Sequence, residues 1–566
     1  MKKWELISKF GIQNSKLGIE DIVKILLANR NINTKRETEE FLNPKLSQVT
    51  PKNVKINKLH LEKAVKRIKK AIKNKEQIIV FGDYDVDGIC GSAILWETLN
   101  YLGAKVLPYI PNRIDEGYGL SKKGISNLKL KIPDIELIIT VDNGIVANEA
   151  VEFAKKEGIE IIITDHHVPS KNLPKAYAIV HTTLLCGTGV AYLFAKEISN
   201  SKFQIPNKSI ISNQKSLIDS HLELVALATV ADLVPLTGAS RVLLKDGLLK
   251  LHETKRPGLL ALFQEAGIDK NSIGVYEIGH IIAPRLNAMG RLESAMDSLR
   301  LVCTTNKQRA RELAFKLSST NKERQILTEE TVNHARSLAK EKGIEELLFI
   351  SNETYEQGVI GLVAGRLVEE FYRPSIVVSK GEIFSKASAR SVSGFNIIDF
   401  IREDLGLLVD VGGHPMAAGF TVETQKLLLL EESLKKRAKK LLTPEILERT
   451  LRIDMELPEG LITQKLYDSL KKLEPFGMKN PEPTFLTKGL VIENIRLVGN
   501  GNKHLKIDFK TQISNSKFQS IYFKGGENNS LSIGENVDVV YVIDENEWNG
   551  RKSLQLKIKD IRPTEN

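Results

Sequence analysis

Three short runs rich in isoleucine and valine, Gln77 to Phe81, Glu136 to Val141 and Glu160 to Thr164, are each followed by a helix-like segment, and that alternation confines the chain to few folds. Runs that are apolar at nearly every position fit strands buried on both faces, as in a parallel sheet covered by helices. In open parallel sheets, ligands collect beyond the C-terminal ends of the strands. Each run here ends in polar residues: VFGDYDVDG at Val80 to Gly88, VDNG at Val141 to Gly144 and TDHH at Thr164 to His167. Asp83, Asp85, Asp142, Asp165, His166 and His167 therefore fall on one edge, where residues far apart in sequence meet. Asp232, after the apolar helix predicted at Leu222 to Ala231, is a further contributor.

Each piece alone has an ordinary reading. Aspartates after a strand cap helices or close turns by accepting hydrogen bonds from free backbone N–H groups. VDNG by itself is an Asx turn more often than a ligand, and a histidine pair is more often solvated than bound. Independent turns, however, have no reason to place Asp or His on the same sheet edge. The joint pattern points to a metal site.

Composition adds bounds. The 566 residues suffice for several domains, and 42% hydrophobic residues can bury substantial cores. A formal charge of +11 suits a polyanionic partner, although a lysine-rich proteome gives the same balance. Cys90, Cys186 and Cys303 are single and widely separated, which argues against a disulfide framework or a cysteine zinc site and for a reducing cytosol. No apolar run approaches the roughly 18 residues that span a bilayer, and the basic start MKKWELISKFGIQNSK lacks an apolar core, so the expectation is a soluble, cytoplasmic protein.

The chain divides into regions. Residues 1–50 are a polar, helical lead-in, and Leu59 to Lys75 is an amphipathic basic helix ahead of the first core strand. An α/β domain with the parallel sheet takes 51–296. Residues 297–342 are helical, with no proline or glycine before Gly343, and link it as a long helix or helix pair to a second α/β lobe at 343–449, with strands at LLFI and SIVVS and a glycine-rich GGH turn. Residues 450–566 switch to five short alternating strands, GLVIENIRLV, HLKIDF, FQSIYFKG, NVDVVYVI and SLQLKIKDI, which read as an OB-fold β-barrel. Such barrels hold single strands with basic grooves and aromatic platforms, for which Tyr522, Phe523, Lys524, Trp548 and Arg551 are candidates. Strand alternation turns one of Tyr522 and Phe523 into the core, whereas Trp548 sits in the turn ENEWNG.

GDYDVDG, VDNG, DHH and the ATVAD at Ala228 to Asp232, in this order and spacing, resemble the four motifs of the DHH phosphoesterase family. NRIDEGYGL (Asn112 to Leu120), IAPRLNAMGRLESA (Ile282 to Ala295), GVIGLVAGRL (Gly358 to Leu367), SARSVSGFN (Ser388 to Asn396), GGHPMAAGF (Gly412 to Phe420) and EPFGMKNPEP (Glu474 to Pro483) are similar to its single-strand-specific 5′ exonucleases, nearly end to end from FLNP at Phe41. The resemblance implies a DHH catalytic domain at 51–296, a DHH-associated substrate-binding domain at 343–449, and metal-dependent 5′ to 3′ degradation of single-stranded DNA to mononucleotides in recombination and repair.

It also implies two divalent ions, Mn²⁺ or Mg²⁺, that clamp the phosphate and acidify a water. Asp142 would bridge them, Asp83 would favour one ion, and Asp85, His166 and Asp232 the other. Mixed imidazole and carboxylate ligands suit Mn²⁺. His167 would face the scissile phosphate, Asp165 would orient a histidine from behind, and Asp87 would do the same or cap the following helix. Arg113, Ser388, Arg390, Gly412, Gly413 and His414 resemble elements that hold substrate phosphates, including the terminal 5′ phosphate. Arg285 and Arg291, on a predicted helix start between the lobes, would line the channel or make interlobe ion pairs. The implied partners are single-stranded DNA, single-strand-binding protein and a RecQ-type helicase, met by a monomer.

Two departures stand out. His181, Thr182 and Thr183 replace the family's Asn-Pro and following loop, leaving His181 a stray ligand or a solvated residue, and Tyr355-Glu356 replaces its Trp-His. Two other functions fit parts of the pattern: a smaller DHH phosphoesterase acting on dinucleotides, which lacks the linking helix and barrel, and a non-catalytic binding subunit, which loses metal ligands.

Overall fold

The computed structural model describes residues 2–8, 17–112, 115–200, 216–510, 517–528, 531–548 and 550–564, the side chains of 527, 528 and 548 excepted. Arg113 and the side chain of Trp548 lie outside the described residues. Two compact units emerge, Lys45–Leu447 and the pair of segments Met1–Pro44 and Glu448–Asn566.

In the larger unit the apolar runs form a sheet in the order Val106–Tyr109, Gln77–Phe81, Ile135–Val141, Glu160–Asp165, Ala178–His181, every neighbour parallel. Gln77–Phe81 is buried at every position, as a strand covered on both faces must be. By chain order the strands run 2-1-3-4-5, so the winding reverses between Gln77–Phe81 and Ile135–Val141, the place where doubly wound sheets open a crevice. Asp83 and Asp85 follow the first of these strands and Asp142 the second.

The linker consists of two helices, Met296–Cys303 and Lys307–Lys342. Asn306 separates them, because its side chain accepts from the N–H groups of Gln308 and Arg309 and starts a new helix. The second helix has 36 residues, about 54 Å at 1.5 Å per residue. The second lobe carries a mixed sheet in the order Leu408–His414, Ala417–Glu423, Phe384–Arg390, Ser375–Ser379, Leu348–Asn352. The GGH segment is the end of its edge strand, not the turn the sequence suggests; the turn follows at Pro415 and Met416. Gly413 has φ 144°, and a Cβ there would sit 2.3 Å from the Ala417 carbonyl oxygen, so the edge closes only on glycine. Tyr355 is buried, its hydroxyl 2.9 Å from Nδ1 of His334.

In the smaller unit, Phe485–Val498, His504–Lys510, Lys517–Tyr522, Arg551–Pro563 and Asn536–Trp548 close into a barrel through the pairing of the first with the last. Strand Lys3–Leu6 pairs in parallel with Thr450–Ile453, Ile22, Leu26 and Phe41 share the barrel's apolar core, and Arg30 pairs with buried Asp454 at 3.2 Å. The N-terminal segment thus packs with the C-terminal region, a grouping the lead-in reading does not anticipate. Tyr522 packs against the barrel core, whereas Phe523 is 54% exposed and meets His504 edge to face at 5.2 Å. Phe523 is therefore the outward member of the pair. Lys524 and Arg551 are also exposed. Among the described residues no helix is long and apolar enough to cross a membrane.

Candidate metal centre

Asp83, Asp87, Asp142 and Asp165 are each only 1 or 2% exposed, an arrangement that is costly without compensating cations. Their ligand atoms, with those of Asp85, His166, His167 and Asp232, fall into three overlapping groups, Asp83–Asp85–Asp142, Asp142–His166–His167 and Asp87–His166–Asp232, each within 4.8 Å. His166 Nε2 lies 3.1 Å from Asp142 Oδ1, 3.5 Å from Asp232 Oδ2 and 3.6 Å from Asp87 Oδ2. Asp142 Oδ1 and His166 Nε2 are buried and without a hydrogen-bond partner among the described residues. Acceptor atoms gathered this closely, some of them unsatisfied, fit divalent cations of the Mn²⁺ or Mg²⁺ kind.

Local folding explains the convergence. Asp85 caps the helix Val86–Tyr101, its Oδ1 accepting from the Gly88 N–H at 3.0 Å. Asp87, in the first turn of that helix, caps a different one: its two oxygens accept from the N–H groups of Gly187 (2.6 Å) and Thr188 (2.7 Å) at the start of Gly187–Asn200. Of the two roles expected for Asp87, this corrects the cap of the helix following it, while its Oδ2 stays 3.6 Å from His166 Nε2. Asp142 has a left-handed backbone, φ 63°, a conformation that costs on the order of 1–3 kcal/mol outside glycine and that the surrounding structure must impose. Its N–H bonds the Thr164 carbonyl at 3.0 Å, while the Thr164 and Thr140 hydroxyls donate to the carbonyls of Thr140 and Asn143.

Gly187 makes room for it. A Cβ at Gly187 would lie 2.7 Å from Asp142 Cβ and 2.8 Å from its Oδ1. Gly187→Ala is accordingly expected to push Asp142 aside and weaken Mn²⁺ binding about 10- to 100-fold, the usual cost of disturbing a ligand's support. Titration of free Mn²⁺ by electron paramagnetic resonance reads this directly, and unchanged affinity would contradict it.

His167 is held from both sides. Its Nδ1 lies 2.8 Å from Asp165 Oδ1, which also accepts the N–H groups of His166 and His167, while Asp165 Oδ2 accepts from Ile145. Tyr118, which the sequence did not single out, and His181, expected as a stray ligand or a solvated residue, complete the setting. The Tyr118 hydroxyl lies 3.3 Å from His167 Nε2, and His181 Nε2 lies 2.7 Å from the His167 carbonyl oxygen. Tyr118 belongs to the NRIDEGYGL run, whose spacing alone does not single it out. His181 is a brace in the last position of its strand, with no place in the three ligand groups.

From the second lobe, the ring of His414 stacks on His167 with centroids 6.2 Å apart and planes 11° from parallel. Across that sheet His414, Ala417 and Arg390 are in register, as are Gly412, Gly419 and Ser388. The SARS and GGH segments therefore lie side by side, with Arg390 Nη1 donating to Ser388 Oγ (3.2 Å) and the Ala389 carbonyl (2.9 Å). Arg285 and Arg291 diverge. They occupy the third and ninth positions of helix Ala283–Leu292, so Arg291 is near its end rather than its start. Arg291 Nη1 donates to the Gly358 carbonyl, an interlobe hydrogen bond, and Arg285 Nη1 turns back to the Ile281 carbonyl.

The electrostatics follow from crowding. Burial, then the charges of Asp87, Asp85, Asp83 and Asp232, hold the Asp142 carboxyl well above the usual range. Burial with Asp87 and Asp85 pushes Asp232 up to about 9, and burial with Asp87 raises Asp85. Burial lowers His166. Burial alone would raise Asp165 and lower His167, but their mutual hydrogen bond and attraction win, drawing Asp165 down and His167 up to about 9. Asp232 and His167 both favour the protonated form in the fold. Their contributions to stability are full below the unfolded values of 3.8 and 6.5 and are lost as pH rises to about 9. Without divalent ions, thermal stability should fall between about pH 4 and 9, and Mn²⁺, which replaces protons on these groups, should flatten the fall. Melting curves at pH 5 and 8.5 with and without Mn²⁺ check this; a metal-free protein more stable at the higher pH would contradict it.

Comparison with known proteins agrees with this geometry. Family models described as the DHH family N-terminal domain, the DHHA1 domain and the RecJ OB domain match residues 77–229, 345–442 and 453–560. A protein of Escherichia coli (strain K12) named single-stranded-DNA-specific exonuclease RecJ is 32% identical over 96% of this chain and 96% of its own. The chain belongs to the RecJ exonuclease family. A RecJ of Bacillus subtilis (strain 168) is 34% identical over 97% of this chain and 69% of its own length. The crystal structure of RecJ in complex with Mn²⁺ from Thermus thermophilus superposes with a TM-score of 0.80 at 27% identity, covering all of this chain and 80% of that one. The closed barrel overlaps the RecJ OB match, and the parallel sheet lies within the DHH match.

Proposed function

We propose that this RecJ-family chain hydrolyses single-stranded DNA from the 5′ end, releasing mononucleotides in a reaction that depends on two divalent ions. The observation that carries the reading is the meeting of Asp83, Asp85, Asp142, His166 and Asp232 at the crevice of the parallel sheet. When bound, the ions supply charge neutralisation at the phosphate and a deprotonated water. Asp142 would be shared between them, with Asp83 and Asp85, grouped with it, holding one ion and His166 and Asp232, grouped with Asp87, holding the other, which moves Asp85 from its expected place beside His166 and Asp232. Asp87 anchors the Gly187–Asn200 helix against this set. Asp165 fixes the His167 ring so that Nε2 faces the phosphate together with the Tyr118 hydroxyl, placing donors where negative charge builds.

Ser388 and Arg390, with the Gly412–His414 edge, receive the terminal 5′ phosphate, since a guanidinium fork and exposed N–H groups suit an anion with several free oxygens. Arg113 joins them by its place in the motif. Arg285 and Arg291 stand along the strand's path, Arg291 through its hold on Gly358. In the barrel, Phe523 offers a base a stacking face, with Trp548 as a second candidate, while Tyr522 supports the core. The same reading extends to a monomeric cytoplasmic protein that acts in recombination and repair with single-strand-binding protein and a RecQ-type helicase.

Oligonucleotides labelled at the 5′ or 3′ end, single- or double-stranded, test the reading with Mn²⁺ or Mg²⁺. The 5′ label of the single strand should be released first as a mononucleotide. Release first from the 3′ end, or equal digestion of blunt duplex, would overturn it.

A further inference from the structure

Arg324 is the least satisfied cation of the linking helix. It sits near the middle of Lys307–Lys342, where Nη2 donates to Oδ1 of buried Asn321 at 3.0 Å. Its Nε is buried without a hydrogen-bond partner among the described residues. The charged group that acts on it is another cation, Arg366 of the helix Ile360–Phe371, and burial and this neighbour both disfavour its charge. Arg366 has its own carboxylate, Glu369, at 3.1 Å on the surface. A half-buried guanidinium normally meets a carboxylate or another anion, because its lost hydration must be replaced. Arg324 faces repulsion instead.

Its surroundings connect it to both lobes. One turn earlier the Thr320 hydroxyl meets Glu293, just beyond the helix Ala283–Leu292, and Arg291 of that helix grips the carbonyl of Gly358, just ahead of Ile360–Phe371. Arg324 thus stands where the linking helix meets both lobes, held by an asparagine that fixes the fork without neutralising it. We infer that Arg324, with Arg366 beside it, is a phosphate subsite for the nucleic-acid strand, separate from the metal centre. This rests on the single-strand reading above and adds a contact to the strand's backbone. An anionic phosphodiester at the accessible end of the fork supplies the missing counter-charge and screens the two cations from each other.

The test is fluorescence anisotropy with a 5′-phosphorylated thymidine oligonucleotide about 20 nucleotides long, in EDTA so that no hydrolysis intervenes. Arg324→Gln should weaken binding roughly tenfold near 0.1 M salt and reduce the slope of log affinity against log salt by about one. Arg324→Lys should restore the slope but not the full affinity, since the planar fork is gone. Arg309→Gln, an exposed charge on the same helix, should change neither. The free Arg324→Gln protein should melt at or above the wild-type temperature, because an unpaired charge has been removed; an arginine with a purely structural role would lower it. Wild-type affinity and slope in Arg324→Gln would overturn the inference, as would a lowered melting temperature with an unchanged slope. Failure of the wild-type protein to bind the oligonucleotide would count against the single-strand reading instead.

Discussion

Replacing Asp142 with asparagine should lower Mn²⁺-dependent nucleotide release at least about 10³-fold while making the metal-free protein more stable. The first effect follows because a bridging carboxylate is worth several kcal/mol to a two-ion site, and each 1.36 kcal/mol is a factor of ten in rate. The second follows from where Asp142 sits: 2% exposed, among the charges of Asp87, Asp85, Asp83 and Asp232. Asparagine keeps the shape and removes the repulsion. It also tolerates the left-handed backbone at φ 63° better than most residues, so the turn should survive. Rates on a labelled single strand and melting curves in EDTA together check the account. Activity within tenfold of wild type would contradict the bridge, and a lower metal-free melting temperature would contradict the crowding.

Arg390→Ala should lower kcat/KM for a 5′-phosphorylated strand about 100-fold and erase the preference over a 5′-hydroxyl strand. Charged hydrogen bonds are worth about 1.5–3 kcal/mol, and a fork makes two of them to one phosphate. The geometry gives the reason for choosing this arginine. His414, Ala417 and Arg390 are in register on three adjacent strands, so Arg390 lies two strand spacings, about 9–10 Å, from the backbone of the residue that stacks on His167. That separation suits a group holding the strand's end while its first linkage lies at the metal centre. Steady-state rates on matched 5′-phosphate and 5′-hydroxyl oligonucleotides decide it; an equal loss on both substrates would assign Arg390 to general backbone binding.

The clustering of the candidate metal-binding residues was legible because strands apolar throughout have few environments, and one parallel sheet puts all their ends on one edge. What the sequence hid depends on partners far along the chain. Asp87 reads as a cap for its own helix, yet the N–H groups it accepts are 100 and 101 positions away. GGH reads as a turn because glycine has little strand preference of its own; pairing with Ala417–Glu423 makes it an edge. Arg291 reads as part of a helix start, but the helix begins at Ala283, leaving Arg291 at the end that meets Gly358. The association of Met1–Pro44 with the C-terminal region rests on one parallel strand pair and a shared core, neither of which leaves a local pattern. Strand alternation did say that Tyr522 and Phe523 face opposite ways, and only packing says which faces in.

Anomalous diffraction at the manganese edge, from crystals grown with Mn²⁺, tests the central claim most directly. Two peaks about 3.5–4 Å apart, with the Asp142 carboxylate between them and His166 on one, are the expected result. A single peak, or peaks that leave Asp142 without a metal, would contradict it.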